Sequence, residues 1–188
     1  AQRQDSQHDD IVNGAVLTFF STASSVGKTL ISCNMASELA RQGRRVCLVD
    51  LDLQFGDICN YLNLKAENTI ADAQRSLQLM GDSCQIAEYC TPYEHAGVRF
   101  DVMAGPAKLA EAYNMQPNFV VKVIQHLQKV YEFIVVDTTS MFSAINLKIL
   151  DISTIVTFLG VVDFIPTIKN MKIGADTLSS LGYSEDKI

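Results

Sequence analysis

Apolar residues in this chain follow two alternating patterns: short continuous runs, and longer stretches in which they recur at helical spacing. The run from Ala15 to Phe20 has the length of a strand covered on both faces. From Gly27 to Gln42 the spacing becomes helical, with Ile31, Met35 and Leu39 expected on the inner face and Gly43 as the stop. Arg45 to Val49 is a second buried strand, ending at Asp50. Ala71 to Met80 reads as a helix, and Val98 to Met103 as a third strand stopped by Gly105-Pro106. Pro117 opens an amphipathic helix whose apolar face carries Phe119, Val120, Val123, Ile124, Leu127 and Val130. Glu132 to Val136 makes a fourth strand, Ile152 to Val162 holds a fifth, and Phe164 to Leu181 forms the last helix, closed by Gly182. Strands alternating with helices of about 10–15 residues predict an α/β fold, a mostly parallel sheet with helices on both faces. The tract from Ala1 to Asn13 is polar and reads as a linker or tail, which leaves residues 14–188 as one domain.

In such sheets ligands bind beyond the carboxyl ends of the strands, and three of these ends carry polar chemistry. After the first strand comes Ser21-Thr22-Ala23-Ser24-Ser25-Val26-Gly27-Lys28-Thr29. A buried strand that breaks into a small-residue loop ending Gly-Lys-Thr and then opens a helix suits a phosphate group. Backbone N–H groups cradle the anion, the lysine neutralises its charge, and the threonine hydroxyl binds Mg²⁺. The positive end of the helix dipole faces the same anion. The full pattern asks for glycine where Thr22 stands, so an ordinary polar turn is the competing reading.

The second strand ends in Leu48-Val49-Asp50-Leu51-Asp52-Leu53-Gln54-Phe55-Gly56-Asp57. Two carboxylates one residue apart can both face one crevice, one ordering a magnesium shell and the other orienting water. Aspartates that cap a helix or solvate a loop would look the same. The fourth strand runs Phe133-Ile134-Val135-Val136 into Asp137, as a magnesium-side carboxylate would sit.

Composition narrows the class. The 188 residues are 48% hydrophobic and 19% charged, a globular balance with room for one sizeable core. A net charge of −6 speaks against a dedicated nucleic-acid binder. The five cysteines (Cys33, Cys47, Cys59, Cys84, Cys90) form no CxxC pair and read as reduced, buried thiols of a cytoplasmic protein. No apolar run approaches the ~18 residues of a membrane span. His8, His95 and His126 have no spacing that suits a metal, and are expected in solvent. Ser21, Ser24 and Ser25 lack the context of a hydrolase nucleophile.

With the loop, the paired aspartates and the strand-end aspartate in this order, the chain resembles the ParA/MinD family of phosphate-loop ATPases from Gly14 to Ile188. Within it, LVDLDLQFGD, the segment Phe100 to Pro106 and the strand-to-helix passage from Val156 to Ile173 are similar to the CpaE/TadZ branch, associated with pilus assembly and polar localisation. The resemblance implies a three-layer α/β/α P-loop fold that binds ATP with Mg²⁺. It implies nucleotide contacts from Ser24, Ser25, Val26, Gly27, Lys28, Thr29 and Leu30, and metal contacts from Thr29, Asp50 and Asp137. It also implies catalytic roles for Lys28 and for Asp52, the residue matching the switch aspartate that positions water.

The same resemblance implies a nucleotide-dependent homodimer that works with pilus, secretion or polar-localisation proteins. It implies peripheral contact with membrane machinery, whereas a DNA-segregating role, which the family also offers, is opposed by the acidic balance and the absence of a basic cluster, so no direct nucleic-acid binding is expected. Three departures stand out: Ala23 replaces the family's signature lysine, Ser24 and Ser25 replace two glycines, and Leu30 stands where a hydroxyl residue often touches the α-phosphate. Loss of that lysine implies slow hydrolysis, with a non-hydrolysing scaffold of the same fold as the alternative. The family's adenine-reading strand falls beyond Ile188.

Overall fold

The computed structural model describes residues 13–162 and 165–188. The tail expected over Ala1 to Asn13 (apart from Asn13), including His8, lies outside the described residues, as does the Phe164 start expected for the last helix.

Among the described residues, six strands form one sheet in the order β3-β4-β2-β5-β1-β6. They are β1 (Ala15–Ser21), β2 (Val46–Leu51), β3 (Thr91–His95), β4 (Val98–Met103), β5 (Phe133–Thr138) and β6 (Ile155–Leu159). Every pairing is parallel except the β3–β4 hairpin at one edge. Side-chain alternation sends Val46 and Leu48 to one face and Cys47, Val49 and Leu51 to the other, so both faces of β2 are covered. One face packs α1 (Lys28–Arg41) and α2 (Ile58–Tyr61). The other packs α3 (Ile70–Met80) and α5 (Pro117–Gln128) through Ile70, Leu77, Val120, Val123, Ile124 and Leu127. The short helix α4 (Leu109–Tyr113) precedes α5, while α6 (Ala144–Ile152) and α7 (Ile165–Ser180) flank the β6 side. The architecture is the predicted three-layer α/β/α arrangement.

Several local expectations change. Helix α1 buries Ser32, Cys33 and Ala36, whereas Ile31 and Met35 are each 37% exposed. Small side chains let this helix lie close on the sheet; of the predicted face, Leu39 packs against the core while Ile31 and Met35 are turned outward. His95 closes strand β3 instead of lying in a loop, and Ala96 (φ 49°) and Gly97 (φ 78°) make the tight two-residue turn into β4. His126 is only 11% exposed and its Nε2 lies 3.6 Å from Asp82 Oδ1, so it is not a solvated residue. Cys33, Cys47 and Cys84 are buried, but Cys59 and Cys90 are partly exposed. Among the described residues, no helix is long and apolar enough to cross a membrane.

Candidate functional site

The sheet order places β2, β5 and β1 side by side, which brings their carboxyl ends together. Register pairs Asp50 directly with Asp137 across the β2–β5 ladder. Above these ends opens a cleft of about 710 Å³, lined by residues from the β1–α1 loop, the segment after β2 and the segment after β5. The volume lies within the range of small-molecule sites.

The β1–α1 loop forms the floor. Gly27 caps α1 in the left-handed region at φ 89°, with no side-chain cap hydrogen bond. The first-turn amides of Lys28, Thr29 and Leu30 therefore lack the partner that a capping side chain would give, as an anion site needs. Ser25 also adopts a positive φ of 58°, where the resembled family has glycine. A non-glycine residue held there costs of order 1 kcal/mol.

Lys28 is the cation of this floor, 9% exposed. Its Nζ donates to Ser21 Oγ at 3.1 Å and to Ser140 Oγ at 2.9 Å. Both serines in turn donate to the Ala23 carbonyl, at 2.7 and 2.8 Å. Burial draws the ammonium below the ordinary lysine range, opposed by the charges of Asp137 and Asp52. Among the described residues Lys28 forms no ion pair; hydroxyls alone hold it.

Thr29 donates its hydroxyl to Asp137 Oδ2 at 2.6 Å. The other carboxylate oxygen, Asp137 Oδ1, is buried with no hydrogen-bond partner among the described residues, and so is Thr22 Oγ1. Burial raises the Asp137 carboxyl to about 6, with Thr29 and Lys28 pulling it back down. Asp50 is pushed further, to about 7, by burial and by the adjacent Asp137. Its two oxygens accept the backbone N–H groups of Asp52 (3.1 Å) and Ile58 (3.3 Å), and Gly56 packs directly on the carboxyl group. Asp50 thus ties down the loop after β2, and it does not line the cleft. Asp52 does line it and accepts the Phe55 amide at 3.3 Å.

Of the residues singled out in the sequence, Ser24, Ser25, Gly27, Lys28, Thr29, Leu30 and Asp52 line the cleft. Asp137 reaches the site through Thr29, while Val26 and Asp50 are not among the lining residues. Sequence reasoning missed Ser21 and Ser140 as partners of Lys28. It also missed Phe55, Tyr61, Thr139 and Met141 in the walls. Position just past a strand end was the one signal available for Ser140.

The donor set of Thr29 hydroxyl and Asp137 carboxylate, with one carboxylate oxygen orphaned, fits a hard cation such as Mg²⁺. Among the described residues no cluster of three or more His, Cys, Asp or Glu side chains converges. Magnesium commonly keeps waters and phosphate oxygens in its remaining positions, so one or two protein ligands suffice.

The AAA domain family matches residues 15–171, a span that takes in every feature just described. The chain belongs to the AAA domain family. It is 27% identical over 131 residues to the uncharacterized ATP-binding protein MJ0924 of Methanocaldococcus jannaschii, covering 70% of this chain and 46% of that protein. The chain thus spans less than half the length of that curated relative. Its fold superposes on a ParA family ATPase from Chlorobium tepidum with a TM-score of 0.81 at 19% identity, covering 93% of this chain and 71% of the other. The septum site-determining protein MinD of Pyrococcus horikoshii, complexed with Mg-ADP, matches with a TM-score of 0.70 at 19% identity, over 93% and 74% of the two chains. At these identities the likeness shows the fold, which is that of the ParA and MinD ATPases.

Proposed function

We propose that this protein binds ATP with Mg²⁺ in the cleft at the ends of β1, β2 and β5 and hydrolyses it slowly, using the bound state as a switch for dimerisation. The observation that carries the reading is Lys28, a buried cation with hydroxyl partners and, among the described residues, no ion pair, at the end of a loop whose helix start is uncapped. A triphosphate would supply the charge that this ammonium lacks. In this reading the loop from Ser24 to Leu30 cradles the phosphates, and Lys28 meets the outer ones. Thr29 and Asp137 would hold Mg²⁺, which neutralises phosphate charge when bound. Asp52 orients the attacking water. Asp50 anchors the loop that carries Asp52 and adds negative field behind the metal position.

Dimerisation is supported by the rim of the cleft, where Leu30, Phe55, Tyr61 and Met141 are 50%, 77%, 58% and 68% exposed. Apolar side chains gathered around a polar cleft suit a partner that closes over it. The role in positioning or assembling a pilus or secretion apparatus rests on the likeness of LVDLDLQFGD and its companion segments to the CpaE/TadZ branch. Slow turnover rests on Ala23, since a trans-acting cation in comparable enzymes raises the rate about 10³–10⁵-fold. The second reading, a non-hydrolysing scaffold of the same fold, draws on the serines of the loop, above all Ser25 at φ 58°.

Titration calorimetry with ATP, with and without Mg²⁺, tests the binding claim, and light scattering under the same conditions tests dimerisation. Micromolar-range, Mg²⁺-dependent binding that Lys28→Ala abolishes is the expected result. No binding in either condition sinks the reading. Binding without any turnover moves the protein to the scaffold class.

A further inference from the structure

The hydrogen bonds around Lys28 converge on a residue far away in sequence. Ser140 lies just past the end of β5, yet its hydroxyl reaches both the side chain of Lys28 and the backbone of Ala23. Proton directions in this cluster are fixed by chemistry. An ammonium can only donate, and a carbonyl can only accept. The Ser140 hydroxyl therefore accepts from Lys28 Nζ at 2.9 Å and donates to the Ala23 carbonyl at 2.8 Å. Ser21 does the same from the other side at 3.1 and 2.7 Å, which leaves no proton for the 3.0 Å contact between the two serine oxygens. Two of the three ammonium donors are thus occupied, and one remains for a ligand.

This arrangement meets a specific need of the chain. Its phosphate loop has serines at 24 and 25, with Ser25 held at positive φ, so the loop's shape must be imposed by its surroundings. Ser21 belongs to the strand that leads into the loop, so it cannot relate that loop to another part of the sheet. Ser140 can, because it follows just after the strand that carries Asp137, whose carboxylate holds Thr29. Through these two contacts one end of β5 grips the loop at both Ala23 and Thr29.

We propose that Ser140 is a positioning residue of the phosphate site, clamping the Ala23 carbonyl and the Lys28 ammonium so that the lysine and the loop meet the outer phosphates in one fixed geometry. The inference rests on the ATP-binding reading above. Ser140 acts through Lys28 and is not itself a catalytic group.

The test compares the parent, Ser140→Ala and Ser140→Thr for ATP affinity with Mg²⁺, alongside thermal melting of each. The alanine variant is expected to bind ATP about tenfold more weakly, the scale of one lost hydrogen bond to a charged group. Its melting temperature should stay near the parent's, and the threonine variant should restore affinity to within about twofold, because it returns the hydroxyl. Unchanged or tighter ATP binding by Ser140→Ala overturns the clamp, since the serine would then be idle or would hold the lysine away from phosphate. Equal weakness of the alanine and threonine variants, with both still melting like the parent, overturns it as well. A parent that binds no ATP is a different failure: it removes the ATP-binding reading, and the clamp goes with it.

Discussion

Asp137→Asn separates the demands of folding from those of the site. Asp137 is 1% exposed, and its carboxyl is raised from 3.8 to about 6, burial being the largest cause. The sign follows from linkage. Below about pH 4 the group is protonated in both the folded and the unfolded chain and adds nothing. Between about 4 and 6 the unfolded chain ionises first, so stability falls as pH rises. Above about 6 the penalty is complete, and it comes to about 3 kcal/mol. Asparagine has the shape of the protonated acid and can still accept the Thr29 hydroxyl, so it escapes the penalty. It also relieves Asp50, which the Asp137 charge pushes upward.

Without nucleotide, Asp137→Asn is therefore expected to be more stable than the parent at about pH 8 and nearly equal to it at about pH 4. At roughly 2–4 °C per kcal/mol for a chain of this size, the upper bound is a melting temperature raised by about 6–12 °C. Differential scanning calorimetry at the two pH values measures it. The same variant should lose the additional stabilisation that Mg²⁺ with ATP gives the parent. A variant no more stable than the parent at high pH, or one whose advantage does not change with pH, would refute the claim that this carboxylate is held against its own ionisation.

Three further outcomes follow from the same geometry. Lys28→Ala should weaken ATP binding by at least about a hundredfold in calorimetry, since it removes the charged donor of the loop; a smaller loss would mean that the ammonium does not meet phosphate. Gly56→Ala would place a Cβ 2.4 Å from Asp50 Oδ2. It should destabilise the protein by about 1–3 kcal/mol in urea melts, and unchanged stability would show that the loop after β2 does not pack there. Ala23→Lys should raise steady-state ATP turnover by at least about tenfold if the missing lysine is what makes the enzyme slow; an unaltered rate would place the limit elsewhere.

The sheet was legible because its parallel strands are buried on both faces and so appear as short apolar runs. Edge strand β3 was not. Its sequence Thr-Pro-Tyr-Glu-His is half exposed and carries a proline, which only an edge strand tolerates, so neither alternation nor an apolar run marks it. Helix α6 was missed because Ala144 to Ile152 is short, and its exposed face carries only Lys148 and Asp151 as polar residues, too few to set a period. In α1 the largest apolar residues suggested the buried side, yet close packing on the sheet selected Ser32, Cys33 and Ala36.

The site divides along the same line between local and tertiary information. Lys28, Thr29 and Asp137 could be read because strand-end position gives a residue its meaning, and the structure joins Thr29 to Asp137 at 2.6 Å. The direction of Asp50 could not, because two aspartates one residue apart can both face a crevice, and only the folded loop shows one bound to backbone amides. Ser140 carried still less signal, since a serine after a strand is an ordinary turn residue until Lys28, 112 positions away, is brought against it.

What the fold adds is a concentration of local misfits. A buried cation held by hydroxyls, two carboxyls raised to about 6 and 7, and a serine at φ 58° all lie at the ends of three adjacent strands. Each is unfavourable for folding alone, and packing elsewhere in the sheet offers no reason for any of them. A bound metal ion and triphosphate would relieve the charge misfits together, the metal lowering both carboxyls and the phosphates neutralising Lys28. This is why a stability gain at Asp137 and a loss of Mg²⁺-dependent nucleotide binding are expected to appear in the same variant.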